Sequence, residues 1–143
     1  MSTLMKSSDV RKNWSLVINT VIRNKPVLIR RNQDIVSMMS VEQLNLLLKE
    51  YSITMKIWNE TDGSVSGSIE ELDLLENRKT VQLLKKALYD ELIEYCNEYM
   101  NEFQLYFHSK DRNGHFPYVQ KVLANESRLN DIVAEYHTKD SNA

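Results

Sequence analysis

The chain is poor in the residues that most often announce a chemistry. Among its 143 residues are one cysteine, three glycines and two prolines. A lone Cys96 excludes an internal disulfide and any multi-cysteine zinc site. Three glycines (Gly63, Gly67 and Gly114) leave no glycine-rich loop that could cradle a phosphate. No Ser, His and Asp are spaced as a nucleophile with its base, so enzyme activity is not expected. No apolar run approaches the roughly 20 residues of a membrane helix, and Met1 to Val10 lacks the apolar core of a signal peptide. Internal repeats and low-complexity segments are missing too. What remains is a chain sized for one domain, or for two small ones sharing a core. A bacterial-type cytoplasmic protein without cofactor or membrane partner is expected.

Charge is present in both signs but unevenly placed. Over Met1 to Glu50, eight Lys/Arg stand against four Asp/Glu, a balance of +4. The rest of the chain sets ten against sixteen, a balance of −6. A basic front and an acidic back suggest two different partners, although small domains also partition charge unevenly by chance.

Hydrophobic periodicity supplies the elements. Ser7 or Ser8 can cap a first helix, whose apolar stripe is Val10, Trp14, Val17, Ile18 and Val21. Trp14 on that stripe is expected in the core. Asn24-Lys25-Pro26 ends the helix, because proline disfavours the helical region in the residue before it. Val27-Leu28-Ile29 and Ile35-Val36 flank the polar turn Arg31-Asn32-Gln33-Asp34 and predict a hairpin. Ser40 with Gln43 makes a capping box ahead of Val41, Leu44, Leu47 and Leu48. Ile53, Met55 and Ile57 alternate with polar or amphipathic residues, as a half-buried strand does. Asp62-Gly63 turns the chain, and Val65 to Leu72 returns beside it. Thr80 caps the longest helix, striped by Val81, Leu84, Leu88, Leu92, Tyr95 and Tyr99. Asn113-Gly114 breaks the chain, Pro117 opens a short helix to Leu123, and Ser127 caps another through Tyr136. Residues from Thr138 onward are expected to fray.

Several side chains invite a functional reading. His108, Asp111 and His115 span a polar loop without zinc-ligand spacing or a third strong ligand, so they are read as loop residues rather than a metal site. Cys96, beside Tyr95 in mid-helix, is read as a small buried hydrophobe. Trp58 points to the opposite strand face from Ile53, Met55 and Ile57 and is read as packed. Glu91, Glu94, Glu98 and Glu102 fall at spacings of three and four on one face of the long helix. Such a face is either merely solvated or suited to neutralising a basic RNA-cleaving protein.

Ser8-Asp9-Val10-Arg11-Lys12-Asn13-Trp14, the strand Pro26 to Arg31 and the step from Val36 to Glu42 together resemble the Phd/YefM family of bacterial antitoxins. The resemblance covers roughly the first 50 residues and rests on the order of the motifs: an Arg with a following Asn early in the first helix, a strand ending in paired basic residues, then a Ser-led helix start. It implies a unit that dimerises through its sheet and binds operator DNA. Carried over position by position, Arg11 and Arg31 would contact DNA, supported by Arg30, Lys12 and Lys6. Elementary chemistry agrees, since the planar donor fork of Arg suits phosphates and guanine edges. Without the resemblance, Arg30-Arg31 beside a turn is more often only a solvated edge. The turn departs from the family, with Asn32-Gln33 where Gly is usual; Asn tolerates the left-handed conformation and keeps the hairpin.

A fainter similarity to HicB-type antitoxin domains lies in Glu60 to Ser64, the return strand and Thr80, although Arg78-Lys79 replaces the usual Gly before that Thr. The expectation is therefore an α+β chain. Residues 1–50 form a Phd/YefM-like dimerising, DNA-binding domain, and residues 51–143 a β-hairpin with helices that faces a toxin. Partners would be operator DNA, a cognate toxin and a second or further copy of the chain. An interaction module that has lost DNA binding is the alternative reading. A ribonuclease toxin is disfavoured by the acidic pI of 5.9.

Overall fold

The structure, a computed structural model, describes residues 4–138. It is α+β and divides into two compact units, Met1–Leu47 and Leu48–Ala143. Of the fraying expected from Thr138 onward, residues 139–143 lie outside the described residues, while Thr138 N–H donates to the Ile57 carbonyl at 2.9 Å.

The first unit runs β1 (Leu4–Lys6), α1 (Ser7–Lys12), α2 (Trp14–Arg23), β2 (Val27–Arg31), β3 (Asp34–Met38) and α3 (Val41–Leu47). Its sheet has the order β1-β2-β3, parallel then antiparallel. The hairpin between β2 and β3 closes with Arg31 opposite Asp34. Asn32 turns it at φ 57°, so Asn supplies the left-handed residue without glycine. Ser40 and Gln43 complete their capping box reciprocally: Ser40 N–H donates to Gln43 Oε1 at 2.9 Å, and Gln43 N–H to Ser40 Oγ at 3.2 Å.

Two expectations fail here for one reason. The first helix is two helices, broken at Asn13, whose backbone takes φ −118° and ψ 36°. Both its N–H and its side-chain amide donate to the Asp9 carbonyl at 3.0 Å, closing α1. The break resets the helical phase. Val10, Val17 and Val21 still reach the core beside Val27, but Trp14 turns outward and is 52% exposed. Nor do Ser7 and Ser8 cap the helix, because β1 runs straight into it and Lys6 holds the cap position.

The second unit runs β4 (Ile53–Asn59), β5 (Val65–Ile69), β6 (Leu74–Arg78), α4 (Val81–Asn101), α5 (Phe103–Phe107), α6 (Phe116–Ala124), α7 (Leu129–Ile132) and β7 (Val133–His137). The sheet order is β6-β5-β4-β7, with β7 parallel to β4 and the other pairs antiparallel. Thr80 caps α4 by accepting from Leu83 N–H at 3.2 Å. Leu84, Leu88, Leu92, Tyr95, Cys96 and Tyr99 then bury against Ile53, Met55, Ile57 and Ile69. Gly67 sits where α4 presses closest: a Cβ there would stand 2.9 Å from both Leu84 Cδ2 and Leu88 Cδ1. Trp58 is half-buried and donates to Glu60 Oε1 at 2.7 Å. The buried ammonium of Lys121 on α6 donates to the Tyr51 carbonyl at 2.9 Å and to that of Leu48 at 3.4 Å.

The return strand is interrupted rather than continuous to Leu72. A 3-10 turn, Glu70–Leu72, and a left-handed Asp73 at φ 58° fold the chain back into β6. The helix expected from Ser127 to Tyr136 is also not formed. After the short α7, Val133 pairs beside Ile53 and Tyr136 beside Lys56. A sheet neighbour distant in sequence overrides local helix propensity there.

Candidate functional site

In the first unit, strand register sorts the basic residues. Lys6 pairs with Arg30, and Arg30 with Ile35, so these three lie on one sheet face with Leu4 and Leu28. Arg31 lies on the other face with Met5, Ile29 and Val36, the face that receives α1 and α2. Arg11 on α1 lines a shallow cavity of about 320 Å³ with Ser7, Val10, Trp14 and Ile29. Arg11 and Arg31 thus share a face, Lys6 and Arg30 share the opposite one, and Lys12 sits exposed in the last turn of α1. All five are exposed, and none forms an ion pair among the described residues.

Among the described residues the unit buries only Val10, Val17, Val21 and Val27. Trp14, Leu16, Ile22, Ile35, Val36, Leu46 and Leu47 stay exposed. They leave apolar surface uncovered on α2, β3 and α3.

In the second unit, a groove of about 600 Å³ runs between β6 and α4. Leu74, Glu76 and Arg78, alternate residues of β6, form one wall. The other wall is α4, with Leu83, Lys86, Ala87, Asp90, Glu91, Glu94, Tyr95 and Glu98. Three of the four glutamates singled out by spacing therefore line one groove. Glu102 does not; it lies at the junction of α4 and α5 with φ −113°. Glu76 and Asp90 join them, and no helical spacing could have shown Glu76, which arrives from a strand.

The carboxylates differ in state. Asp90 pairs with Lys86 at 2.7 Å, and Glu76 with Arg78 at 2.8 Å. Glu98 accepts from Tyr106 OH at 3.0 Å. Burial, then the hydrogen bond and charge of Glu76, push Glu91 up to about 7. Glu76 is held below the usual range, first by that same hydrogen bond. The two carboxyls therefore share a proton near neutrality. Glu91 Oε2 is buried with no hydrogen-bond partner.

At one end of the groove Tyr95 joins a polar chain that runs from the buried His115 to the exposed Asp73 carboxylate. Its hydroxyl lies 2.6 Å from His115 Nδ1, and His115 Nε2 lies 3.6 Å from Asp73 Oδ2. Arg112 donates to Tyr95 OH at 3.4 Å and places its guanidinium over the Tyr95 and Tyr106 rings. Burial lowers the His115 pKa and raises that of Tyr95. The neighbours assign Tyr95 OH as donor to Nδ1 of a neutral imidazole. His108, by contrast, is exposed and bonds Gln104 at 3.0 Å, so the two histidines face different surroundings. Among the described residues no three or more His, Cys, Asp or Glu side chains are grouped to hold a metal ion. No helix there is long and apolar enough to cross a membrane.

The family described as PHD_like, antitoxin of toxin–antitoxin, RelE/RelB, TA system, matches residues 1–135, and the chain belongs to it. A similar solved structure is an antitoxin part of a proposed toxin/antitoxin system from Syntrophomonas wolfei subsp. wolfei. It is 29% identical at a TM-score of 0.80, covering 96% of this chain and 100% of that one. No curated protein matches significantly.

Proposed function

We propose that this antitoxin is a non-enzymatic cytoplasmic autorepressor of the Phd/YefM type: its first unit dimerises and binds operator DNA, and its second unit neutralises a toxin. The family membership supports the toxin partner. The DNA reading is carried by the five exposed cations Lys6, Arg11, Lys12, Arg30 and Arg31, left without ion pairs among the described residues. They stand on a unit whose uncovered apolar surface suits a second copy. A two-fold dimer would present two such basic edges to the half-sites of a palindrome. In the second unit, Glu91, Glu94 and Glu98 in the groove are the toxin-facing carboxylates, with Glu102 beyond its end.

A DNA-shift titration against the chain's own upstream region, at two salt concentrations, tests the repressor half. Binding should weaken steeply with salt as counterions return to the phosphates. Arg11→Ala in both protomers should shallow the log–log salt slope by about 2. An unchanged slope removes Arg11 from the contact. No binding at either salt favours a pure interaction module on the same fold.

A further inference from the structure

We propose that β6 is a docking edge, onto which an extended segment of the toxin adds as a further strand, placing alternate Lys or Arg side chains in the groove beneath α4. The inference deepens the antitoxin reading and rests on it for the source of the strand. Its chemistry rests on β6 itself. In the sheet order β6 is terminal, and among the described residues only β5 pairs with it. Half of its backbone N–H and C=O groups therefore point away from β5, the template that strand addition uses.

The two faces of β6 specify what would fit. Glu76 faces the groove, where Glu91 and Glu94 come from the opposite wall. On the other face Leu75 is 65% exposed, and a neighbouring apolar side chain would cover it. An incoming strand that alternates basic and apolar residues satisfies both faces at once. Charge also selects against a second copy, since pairing β6 with itself would bring two acidic grooves together. A cation entering the groove takes the place of the proton that Glu91 and Glu76 share.

The test uses the full chain and an acetylated, dye-labelled peptide, Lys-Val-Lys-Val-Lys-Val-Lys. Binding in the micromolar range is expected, with slower hydrogen exchange at the outward amides of β6. The same peptide with every amide N-methylated keeps its charge but loses its donors, and should bind at least about tenfold more weakly. The exposed-site substitution Glu94→Lys should cost a similar factor. Equal affinity for the methylated peptide would reduce the effect to charge attraction and overturn the proposal, as would no binding. A dimer of the chain that dissociates on adding peptide would give the edge to a second copy and also overturn it. Growth rescue separates the two readings. A chain that silences its co-expressed toxin but ignores the peptide retains the antitoxin role and loses this edge. A chain that binds the peptide as expected but silences no toxin keeps the edge and loses the antitoxin role.

Discussion

Glu76 on β6 and Glu91 on α4 line opposite walls of the acidic groove, and burial with the Glu76 hydrogen bond pushes Glu91 up to about 7 while Glu76 is held low. Folding thus raises one carboxyl pKa to about 7 and lowers its partner's. Below the ordinary carboxylate value of 4.5, the lowered Glu76 loses its stabilising contribution as pH falls. Between 4.5 and about 7 the folded pair keeps a proton that the unfolded chain has released, so stability falls as pH rises. The pair's contribution therefore peaks near the ordinary carboxylate range. Glu91→Gln preserves a hydrogen bond to Glu76 and removes the second charge. Its Tm should exceed that of the parent by a few degrees at pH 8, with the advantage shrinking toward pH 5. A constant difference across that range would refute the shared proton.

Gly67 occupies a sheet position that a side chain cannot fill without moving α4. Its Cβ would meet Leu84 and Leu88 at 2.9 Å and the Lys56 carbonyl at 3.2 Å. Gly67→Ala should destabilise the fold by about 1–3 kcal/mol in urea melts. Combined with Leu88→Ala, it should cost less than the sum of the two single changes, because the second makes room for the first. Strict additivity would mean that the contact is absent.

His115 is buried neutral, with its pKa pushed down by loss of solvent. The unfolded chain then takes up a proton near the ordinary value of 6.5, before the folded one does. This group consequently subtracts stability as pH falls below that value. His115→Gln can still accept from Tyr95 and does not titrate. The difference in Tm between parent and variant should shift in the variant's favour from pH 7.5 to pH 5.5. A flat difference would place the imidazole in open solvent.

Cys96 is fully buried on α4, and desolvation pushes its thiol up to about 12. A thiolate is the reactive form, so the native protein should resist iodoacetamide at pH 8 and label only in denaturant. Rapid native labelling would show that α4 opens.

Local signals were legible where one short segment determines its own conformation. The capping box at Ser40, the cap at Thr80, the left-handed Asn32 and the Asp62-Gly63 turn are such cases, as is the buried stripe of α4. The failures are non-local. β6 reads Leu-Leu-Glu-Asn-Arg, without clean alternation, and β7 carries Ala and Glu that favour helix; only their partners make them strands. β1 is three residues long, too short to show a period. The acidic face of α4 was visible, but not the groove, since Glu76 and Arg78 come from a strand that the sequence hid. Tyr95 and His115 are 20 positions apart and meet only because α4 and the segment before α6 pack together.

The parallel pairing of β4 with β7 sets when this protein becomes functional during its own synthesis. Ile53 lies beside Val133, and Ile57 beside His137, so one side of β4 waits for the last strand of the sheet. Contacts of such separation form late and are slow. A ribosome stalled before Val133 would hold a nascent chain whose first unit is complete but whose second sheet has an open flank. Such a chain is exposed to proteases and chaperones before it is ready for a partner. Truncation before Val133 would then cost the second unit its closing strand while sparing the first.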